Sequence, residues 1–382
     1  MKRLAIAIAL AVALPLIWAT AARALPAQRP ADAWMVEGQT VRAVEHAKGV
    51  VVLGGRFVGL QDPSSGETLE ANNLGALDAS TGEPIWTARI EDTIGTATVW
   101  DLAISPDGSV VYACGNFNRV NGNDHRNLVA FDAATGAYLR AFKPAAKTCW
   151  SVSTDGASVF AGHGRSVDSY SVDGDDEWST PADGKVWSVV YGGGSLFVAG
   201  RFESIGGGPH RVAARLNPST GAVDVGWVLG GGKRIGRSAF GHELHLEGRA
   251  LYLAAGGSDF AARFNSATGS TVWKTDTSGS TQTIEPYGQG KVVIGGHFEW
   301  VADRDTRQCG SNAHPVTTCT KRLRLAALDA RTGALVLHWD PSLTGRYGGA
   351  RGLAVDGAGH LHIGGEFSRV SGVKRMHYAV LP

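Results

Sequence analysis

The sequence predicts an all-β protein, a seven-bladed β-propeller of four-stranded antiparallel blades closed by an N-terminal strand that completes the last blade. Two repeated motifs and the composition of the chain predict this fold. The 382 residues include 52 glycines and only three methionines, a composition that indicates many turns and short strands. Internal repeats carry more weight than composition, because each copy marks one structural unit.

The first motif places Asp or Asn three residues before Thr-Gly, with an aromatic residue four or six positions after the glycine. The acidic or amide side chain can accept backbone N–H bonds in a turn, and the glycine supplies a positive φ. The motif therefore predicts the turn between the third and fourth strands of a blade, with the aromatic ring packed against the neighbouring blade. Strong copies cover Leu74–Trp86, Leu128–Phe142, Ala213–Trp227, Ala261–Trp273 and Leu325–Trp339, and a weaker copy ends at Trp178.

The second motif is a tetrad of the form Gly-Gly-x-Phe that lies upstream of each turn. Its glycines are expected where strands crowd together, and its Phe is expected to pack between blades. Successive copies are irregularly spaced, from 38 residues (162 to 200) to 69 residues (296 to 365), so we predict seven copies of one unit with variable loops. The tetrads are Gly54–Phe57, Cys114–Phe117, Ala199–Phe202, Gly295–Phe298 and Gly364–Phe367, with degenerate forms beginning at Ala161 and Ala255.

The two ends of the chain predict how the ring closes. The chain stops at HYAVLP, the third strand of the seventh unit. The segment Ala31–Glu37 carries Trp34 in the aromatic position and is predicted to be the missing fourth strand, because a closed ring leaves no exposed sheet edge.

The first 24 residues predict a signal peptide: Lys2 and Arg3 precede a short apolar run, and Ala22-Arg23-Ala24 resembles a cleavage site. We therefore expect a secreted, extracellular protein whose residues 25–382 form one propeller domain, with no membrane insertion. The net charge of +1 gives no electrostatic case for nucleic acid or for an anionic membrane. We expect a monomer.

The motifs resemble those of two groups of propellers. The Ala-x-Asp-x-x-Thr-Gly-x-x-x-Trp element resembles the blade-docking repeat of quinoprotein (PQQ-like) propellers. The full unit, as in GGRF…LGALDASTG, is similar to secreted bacterial propeller-repeat proteins found mainly in actinobacteria. The first resemblance implies a quinone cofactor, which many such enzymes hold against a vicinal cysteine pair. The sequence contains no Cys-Cys, so we expect no cofactor.

Four cysteines permit disulfides in an exported protein. Cys309 and Cys319 bracket a polar segment, and we predict that they form a local bridge. Cys114 and Cys149 lie in apolar surroundings, where either a bridge or two buried thiols fits.

We place the site on the face that carries the long loops, near the centre of the ring, because variable loops on a rigid scaffold carry function. One position of the innermost strands aligns as Arg42, Trp100, Trp150, Trp187, His242, Thr283 and Arg351. In the functional interpretation, indole faces stack on a sugar or another flat ligand and the cations bind its polar groups. The alternative is that the tryptophans pack between blades.

The remaining candidates carry less chemistry. Arg126, Arg211, Arg322 and Arg375 recur after the second strand and suit either a cationic ring or structural contacts. His242 and His245 should point to opposite sides of a strand, whereas His360 and His362 share a side but lack an evident third metal ligand. Asn121–Asp124 and Asp173–Glu177 are acidic loops that leave calcium binding open, and we predict no metal site. Glu243 and Asp101 are candidate acid–base carboxyls of a lyase or hydrolase.

The function predicted from these features is a non-enzymatic binding module for carbohydrate or a surface protein. The alternative is a propeller enzyme, either a PQQ-like oxidoreductase or a carbohydrate-active lyase or hydrolase.

Overall fold

A computed structural model describes residues 24–142, 148–233, 235–303, 309–312, 318–345 and 349–382. Within these ranges the protein is all-β, and its single helical segment is a 3-10 turn at Leu229–Gly232. The described part of the chain contains no helix with the length and apolar character needed to span a membrane. Residues 1–23 of the predicted signal peptide lie outside the described residues.

The first half of the chain forms three main antiparallel sheets. The first contains β1 (Met35–Ala47), β2 (Val50–Gln61), β3 (Thr68–Glu70), β4 (Asn73–Asp78) and β5 (Pro84–Glu91). The second contains β6 (Thr98–Ile104), β7 (Val110–Asn116), β10 (Leu128–Asp132) and β11 (Tyr138–Ala141), and the small hairpin of β8 (Arg119–Val120) and β9 (Asn123–Asp124) pairs with β5. The third contains β12 (Cys149–Thr154), β13 (Ser158–His163), β14 (Ser166–Ser171) and β15 (Asp176–Pro181).

The second half forms four more main sheets and two small ones within the described ranges. The fourth contains β16 (Lys185–Gly192), β17 (Ser195–Arg201) and β18 (Ala213–Leu216), and the fifth contains β19 (Phe240–Glu247), β20 (Ala250–Gly256), β21 (Phe260–Asn265) and β22 (Thr271–Asp276). The sixth contains β23 (Thr281–Gly288), β24 (Lys291–Gly296) and β27 (Leu325–Asp329), beside the pair β25 (Trp300–Ala302) and β26 (Cys319–Lys321). The seventh contains β29 (Ala350–Val355), β30 (Leu361–Gly365) and β33 (Tyr378–Leu381), beside β28 (Leu343–Thr344), β31 (Arg369–Val370) and β32 (Val373–Lys374).

The first strands of the seven main sheets lie side by side. They contact one another in the order β1, β6, β12, β16, β19, β23 and β29, and β29 contacts β1. We call them the inner strands. Apolar side chains between adjacent sheets form the core, as in the cluster that joins the first and second sheets through Val52, Trp86 and Phe131.

The four strands expected per sheet are present in only some of the main sheets of the described ranges. The fourth, sixth and seventh main sheets have three. In the fourth and sixth, the outermost segment forms one isolated bridge, Leu216 with Val223 or Leu328 with Leu335. Both segments come from motif copies in which Trp follows the glycine by six residues rather than four.

The N-terminal segment lies beside the last strand. Ala27 N–H donates to Pro382 O (2.6 Å), and Ala31 N–H donates to Val380 O (2.8 Å). The bounds predicted for this strand were wrong, because Met35–Glu37 already belong to β1. Trp34 instead donates through Nε1 to Glu83 Oε2 in the first sheet (3.0 Å).

The first motif joins adjacent sheets, as predicted. Trp86 Nε1 donates to Ala133 O (3.0 Å), and the carbonyl belongs to the residue directly after the Asp of the next turn. Trp178, Trp227 and Trp273 make the same bond to Pro218, Ser266 and Ala330. In the turn itself, Asp132 Oδ1 accepts the N–H of Thr135 (2.8 Å). The motif is therefore a structural element that holds two sheets together.

The second motif marks close backbone approaches. A Cβ on Gly200 would lie 2.0 Å from Lys185 O, and one on Gly55 would lie 2.3 Å from Thr40 O, so neither position admits a side chain. The tetrad phenylalanines are buried, for example Phe298 and Phe367 at 0% exposure. Both predicted packing roles are confirmed.

Two disulfides form in the described ranges. Cys309 is bonded to Cys319, as predicted. Cys114 is bonded to Cys149, which decides the question that the sequence left open in favour of a bridge between the second and third sheets. Two such bonds are typical of an oxidising, extracellular environment.

Candidate functional site

Each inner strand carries a β-bulge, which lies near the beginning of six strands and in the second half of β1. An extra residue in one strand breaks the regular alternation and re-aims its side chain. The bulged residues, which we call the bulge ring, are Arg42, Trp100, Trp150, Trp187, His242, Gln282 and Arg351.

The bulge ring lines a central cavity of about 440 Å³ to which all the inner strands contribute. The structure thus brings together the six residues predicted as ligand contacts. The seventh prediction, Thr283, was wrong by one position: the register shift falls at Gln282, and Thr283 is fully buried.

The aromatic members of the ring are stacked on one another and on cations. The Trp100 and Trp150 rings lie 4.8 Å apart at 40°. The Arg42 guanidinium lies 4.5 Å from the Trp100 ring, and Lys185 Nζ lies 5.0 Å from the Trp150 ring. The Trp187 ring is stacked on His242 at 5.6 Å. The faces of these half-buried indoles are therefore partly covered by neighbouring rings and cations.

Glu366 lies between the two arginines of the ring. Its Oε1 is 3.4 Å from Arg42 Nη2 and 3.1 Å from Arg351 Nη2, and its Oε2 is 3.6 Å from His297 Nε2. Burial alone would raise the pKa of Glu366, but His297, Arg351 and Arg42 outweigh it and hold the pKa below its usual value. Burial lowers the pKa of Arg42 to about 10, helped by the nearby positive charges of Arg351 and Arg56.

Glu366 belongs to a second set of residues that the sequence reasoning missed. The third residue of each tetrad varies, and several of these residues lie beside the bulge ring. Arg56 and Asn116 line an adjoining cavity, the Arg201 guanidinium lies 5.7 Å from the Phe240 ring, and His297 contacts Glu366. Chemical variation inside an otherwise uniform motif was the available signal.

The adjoining cavity, which we call the side cavity, has a volume of about 370 Å³. It lies on the face of the tetrad and inter-sheet loops. Arg56 Nη2 donates to Thr96 Oγ1 (3.3 Å), and Thr148 Oγ1 donates to Asn116 Oδ1 (3.3 Å). It is lined by Arg42, Arg56, Thr96, Thr98, Trp100, Asn116, Thr148 and Trp150.

Acidic side chains line the central cavity below the bulge ring. Burial raises the pKa of Glu45 to about 8, with the negative charges of Asp101 and Glu285 adding to the effect. Burial also raises the pKa of Glu243 well above its usual value, although the Thr283 hydroxyl opposes the rise. Near neutral pH Glu45 therefore holds a proton, and burial shifts Glu243 in the same direction, towards the state required of a general acid.

His245 places a positive charge beside these acidic side chains. His245 Nδ1 lies 2.9 Å from Glu285 Oε2. Burial would lower the pKa of His245, but the Glu285 charge outweighs it and raises the pKa to about 9. Both His242 and His245 line the cavity, so the prediction that they point to opposite sides was wrong, because the bulge at His242 shifts the alternation.

Three of the four recurring arginines make structural contacts, and Arg126 has no described side-chain contact of this kind. Arg211 donates to Gly236 O (3.1 Å), Arg322 donates to Leu337 O (2.7 Å), and Arg375 donates to Ala31 O (2.9 Å). These bonds fix inter-sheet and outermost segments. They agree with the structural contacts that the sequence analysis gave as the alternative to a cationic ring.

The remaining metal candidates are also accounted for. His360 Nδ1 and His362 Nε2 both face Asp356 Oδ2, at 2.8 and 3.3 Å. Asp124 pairs with Arg119, and Asp173 pairs with Arg140. No group of three or more His, Cys, Asp or Glu side chains in the described ranges is arranged to hold a metal ion. Neither disulfide joins neighbouring residues, so the chain offers no vicinal pair for a quinone, and we derive no step through one.

Comparison with known families matches one repeat of the chain. A domain of unknown function described as the DUF5122 beta-propeller matches residues 194–226, which run through β17, β18 and the turn after them. The comparison with curated proteins gives no match.

Solved structures share the fold across nearly the whole chain. The WD40 repeats of RRP9 align with a TM-score of 0.62 and 12% identity, over 93% of this chain and 99% of that one. U3-55K aligns with a TM-score of 0.59 and 12% identity, over 91% and 97%. The computationally designed Ika8 protein aligns with a TM-score of 0.54 and 11% identity, over 93% and 99%. At these identities the likeness concerns the β-propeller fold alone.

Proposed function

We propose that this protein is a secreted seven-bladed β-propeller that binds carbohydrate at the bulge ring. The ring of contacts that returns from β29 to β1 supports seven blades. The bonds from Ala27 and Ala31 to the last strand support closure by the N-terminal segment, as does the bond from Trp339 Nε1 to Pro26 O (2.9 Å). The two disulfides favour export, and residues 25–382 then form one domain.

The bulge ring is the single observation that carries the binding proposal. A bulge at one place in all seven inner strands brings three indoles, two guanidinium groups, an imidazole and an amide to one cavity. Aromatic side chains with a few convergent polar groups are typical of small-ligand sites. Sugars suit this mixture because their C–H faces pack on indoles while their hydroxyl groups form hydrogen bonds.

A glycan array followed by calorimetry tests the proposal. We expect the wild-type protein to bind a subset of saccharides, and Trp100→Ala to weaken that binding about ten-fold or more. Trp86→Phe is the matched control: it removes a bond between sheets and is expected to lower the melting temperature while leaving the affinity unchanged. Equal affinities for Trp100→Ala and wild type, with both folded, would reject the bulge ring as the binding site.

A second candidate function rests on the acidic part of the central cavity. Glu243 with a raised pKa suits the general acid of a glycoside hydrolase or lyase. Asp101 suits that role less, because its carboxylate accepts the N–H groups of Leu102 and Val152, both at 2.9 Å. Assays of reducing ends and unsaturated products on a polysaccharide panel decide the matter. Turnover that Glu243→Gln abolishes would establish the enzyme, and absence of turnover on any saccharide that binds would exclude it.

A further inference from the structure

On the side of the tetrads, the bulge ring and its surroundings carry more positive than negative charge, whereas Glu45, Asp101, Glu243 and Glu285 line the central cavity below. The cationic side chains are Arg42, Arg56, Arg351, Lys185 and Arg201. In the described ranges Glu366 is the only carboxylate within ion-pair distance of any of them, and it contacts Arg42 and Arg351. The whole chain has a net charge of only +1, so this local excess does not follow from composition.

The unsatisfied polar atoms of the ring point to the same ligand chemistry. Among the described side chains, the buried Nε of Arg42, Nε of Arg351 and Nε1 of Trp100 have no hydrogen-bond partner. All three are donors and none can accept. Gln282 Oε1 is the one acceptor among the described bulge-ring side chains that is buried without a hydrogen-bond partner. Since buried polar groups are normally paired, a ligand that supplies mainly acceptors would suit these donors.

The side cavity offers the place for such a group. Among the described residues, the Arg56 guanidinium has one side-chain hydrogen bond, to the Thr96 hydroxyl. Arg42 lines the same cavity. Asp92 approaches the cavity through Asn116 (3.3 Å), but its carboxylate is also held by Asn118 (3.0 Å). Two guanidinium groups with threonine and asparagine side chains match an oxyanion flanked by hydroxyl groups.

We propose that the ligand is an acidic oligosaccharide whose carboxylate or sulfate group binds in the side cavity between Arg42 and Arg56. The neighbouring sugar then packs against the edges of Trp100 and Trp150. This inference rests on the proposed carbohydrate-binding function and names its ligand class. The guanidinium groups supply both charge and donors, while the tryptophans distinguish a sugar from a simple anion.

Calorimetry with small saccharides tests the proposal, at about 150 mM salt so that long-range attraction is screened. The probes are trigalacturonate, a sulfated disaccharide, neutral maltotriose and triglutamate. We expect one of the two acidic saccharides to bind at least about ten-fold more tightly than maltotriose, and the arm that binds identifies carboxylate or sulfate. Arg56→Gln should remove that difference. Arg249→Gln makes the same change at an exposed turn beyond β19 and should leave it intact.

The outcomes separate this inference from the function on which it rests. If maltotriose binds as tightly as both acidic saccharides, the charge assignment is wrong and the carbohydrate function stands. If no saccharide of the array or of this panel binds, the proposed function fails. If triglutamate binds as tightly as the acidic saccharides and Trp100→Ala changes neither, the site recognises anions and not sugars. Melting curves of the arginine variants show whether lost binding reflects lost folding.

Discussion

At the scale of single residues, the acidic side chains in the central cavity make stability depend on pH. Burial raises the pKa of Glu45 from 4.5 to about 8. The folded protein therefore holds this proton more tightly than the unfolded chain does. The stabilisation of the folded state by protonated Glu45 is fully present below pH 4.5 and is lost as the pH rises to about 8.

Glu45→Gln tests this pH dependence because glutamine stays uncharged at every pH. We expect equal free energies of unfolding for variant and wild type below pH 4.5, where Glu45 is protonated in both states. Above pH 8 the variant should be more stable, on the order of 2 kcal/mol because Glu45 is only half-buried and solvent screens its charge. Urea denaturation across pH measures the difference. Glu247→Gln, at the exposed end of β19, is the control, and a variant less stable than wild type at high pH would contradict the account.

The second glycine of the tetrad has a purely steric role. Gly200→Ala would place a methyl group about 2.0 Å from Lys185 O, and the two strands would have to separate. We expect a loss on the order of 3 kcal/mol in the free energy of unfolding. Gly357→Ala, where no atom lies within 4 Å of the added Cβ, should be nearly neutral. Equal stabilities of these two alanine variants would show that the strands tolerate the side chain.

The sequence aligned equivalent positions of the inner strands well where repetition marked them. Six members of the bulge ring were recovered because a tetrad follows each inner strand at a similar distance. Gln282 was missed because a bulge leaves no hydrophobic signal in the sequence, and strict alternation favoured Thr283. Arg56, Arg201 and Glu366 were missed because they occupy the third position of a motif read as structural, where the side chain varies most in its chemistry.

At the scale of elements, tryptophan docking joins consecutive sheets. Trp273 is 6% exposed, and its Nε1 donates to Ala330 O at 2.9 Å. We expect Trp273→Phe to cost about 1 kcal/mol through the lost hydrogen bond, and Trp273→Ala to cost about 3–5 kcal/mol through the cavity that it leaves. Denaturant titrations compare the two. Similar small losses for both variants would mean that the ring contributes little to holding the sheets together.

The two disulfides differ in how much chain they constrain. Cys114 and Cys149 are 35 residues apart and Cys309 and Cys319 are 10 apart. Loop entropy then predicts that removing the first bond costs about 4 kcal/mol and removing the second about 3 kcal/mol. Double alanine variants of each pair, compared by denaturation, test that order. A larger loss for the shorter loop would indicate that strain or local packing decides instead.

The outermost strands were predicted less reliably than the inner ones. Spacing of four residues between glycine and Trp accompanies the regular strands β5 and β22, whereas spacing of six accompanies the irregular segments that end at Trp227 and Trp339. The sequence showed both spacings but not their consequence, because pairing at a sheet edge is weakly constrained by burial. The predicted position of the N-terminal strand was wrong for the same reason. Ala31–Glu37 has the composition of a strand, but Ala27 and Ala31 make the hydrogen bonds to the last strand.

At the scale of the whole molecule, repetition separates the structural residues from those proposed to bind ligand. The recurring Trp, Gly and Phe positions hold sheets together and are nearly the same in each unit. The bulge ring varies from unit to unit, with Arg, Trp, His and Gln at one geometric position. The fold could therefore be predicted from what recurs, and the candidate site is found in what does not. Ligand identity was not predictable, because it depends on the charge balance created when separate sheets meet.

The most direct test of the central claim, that the bulge ring binds carbohydrate, is a crystal structure of the protein soaked with the saccharide that binds most tightly on the array. The account predicts ordered sugar against Trp100 and Trp150, with its acidic group between Arg42 and Arg56. Sugar ordered on the opposite face, beside the Asp-x-x-Thr-Gly turns, would contradict it.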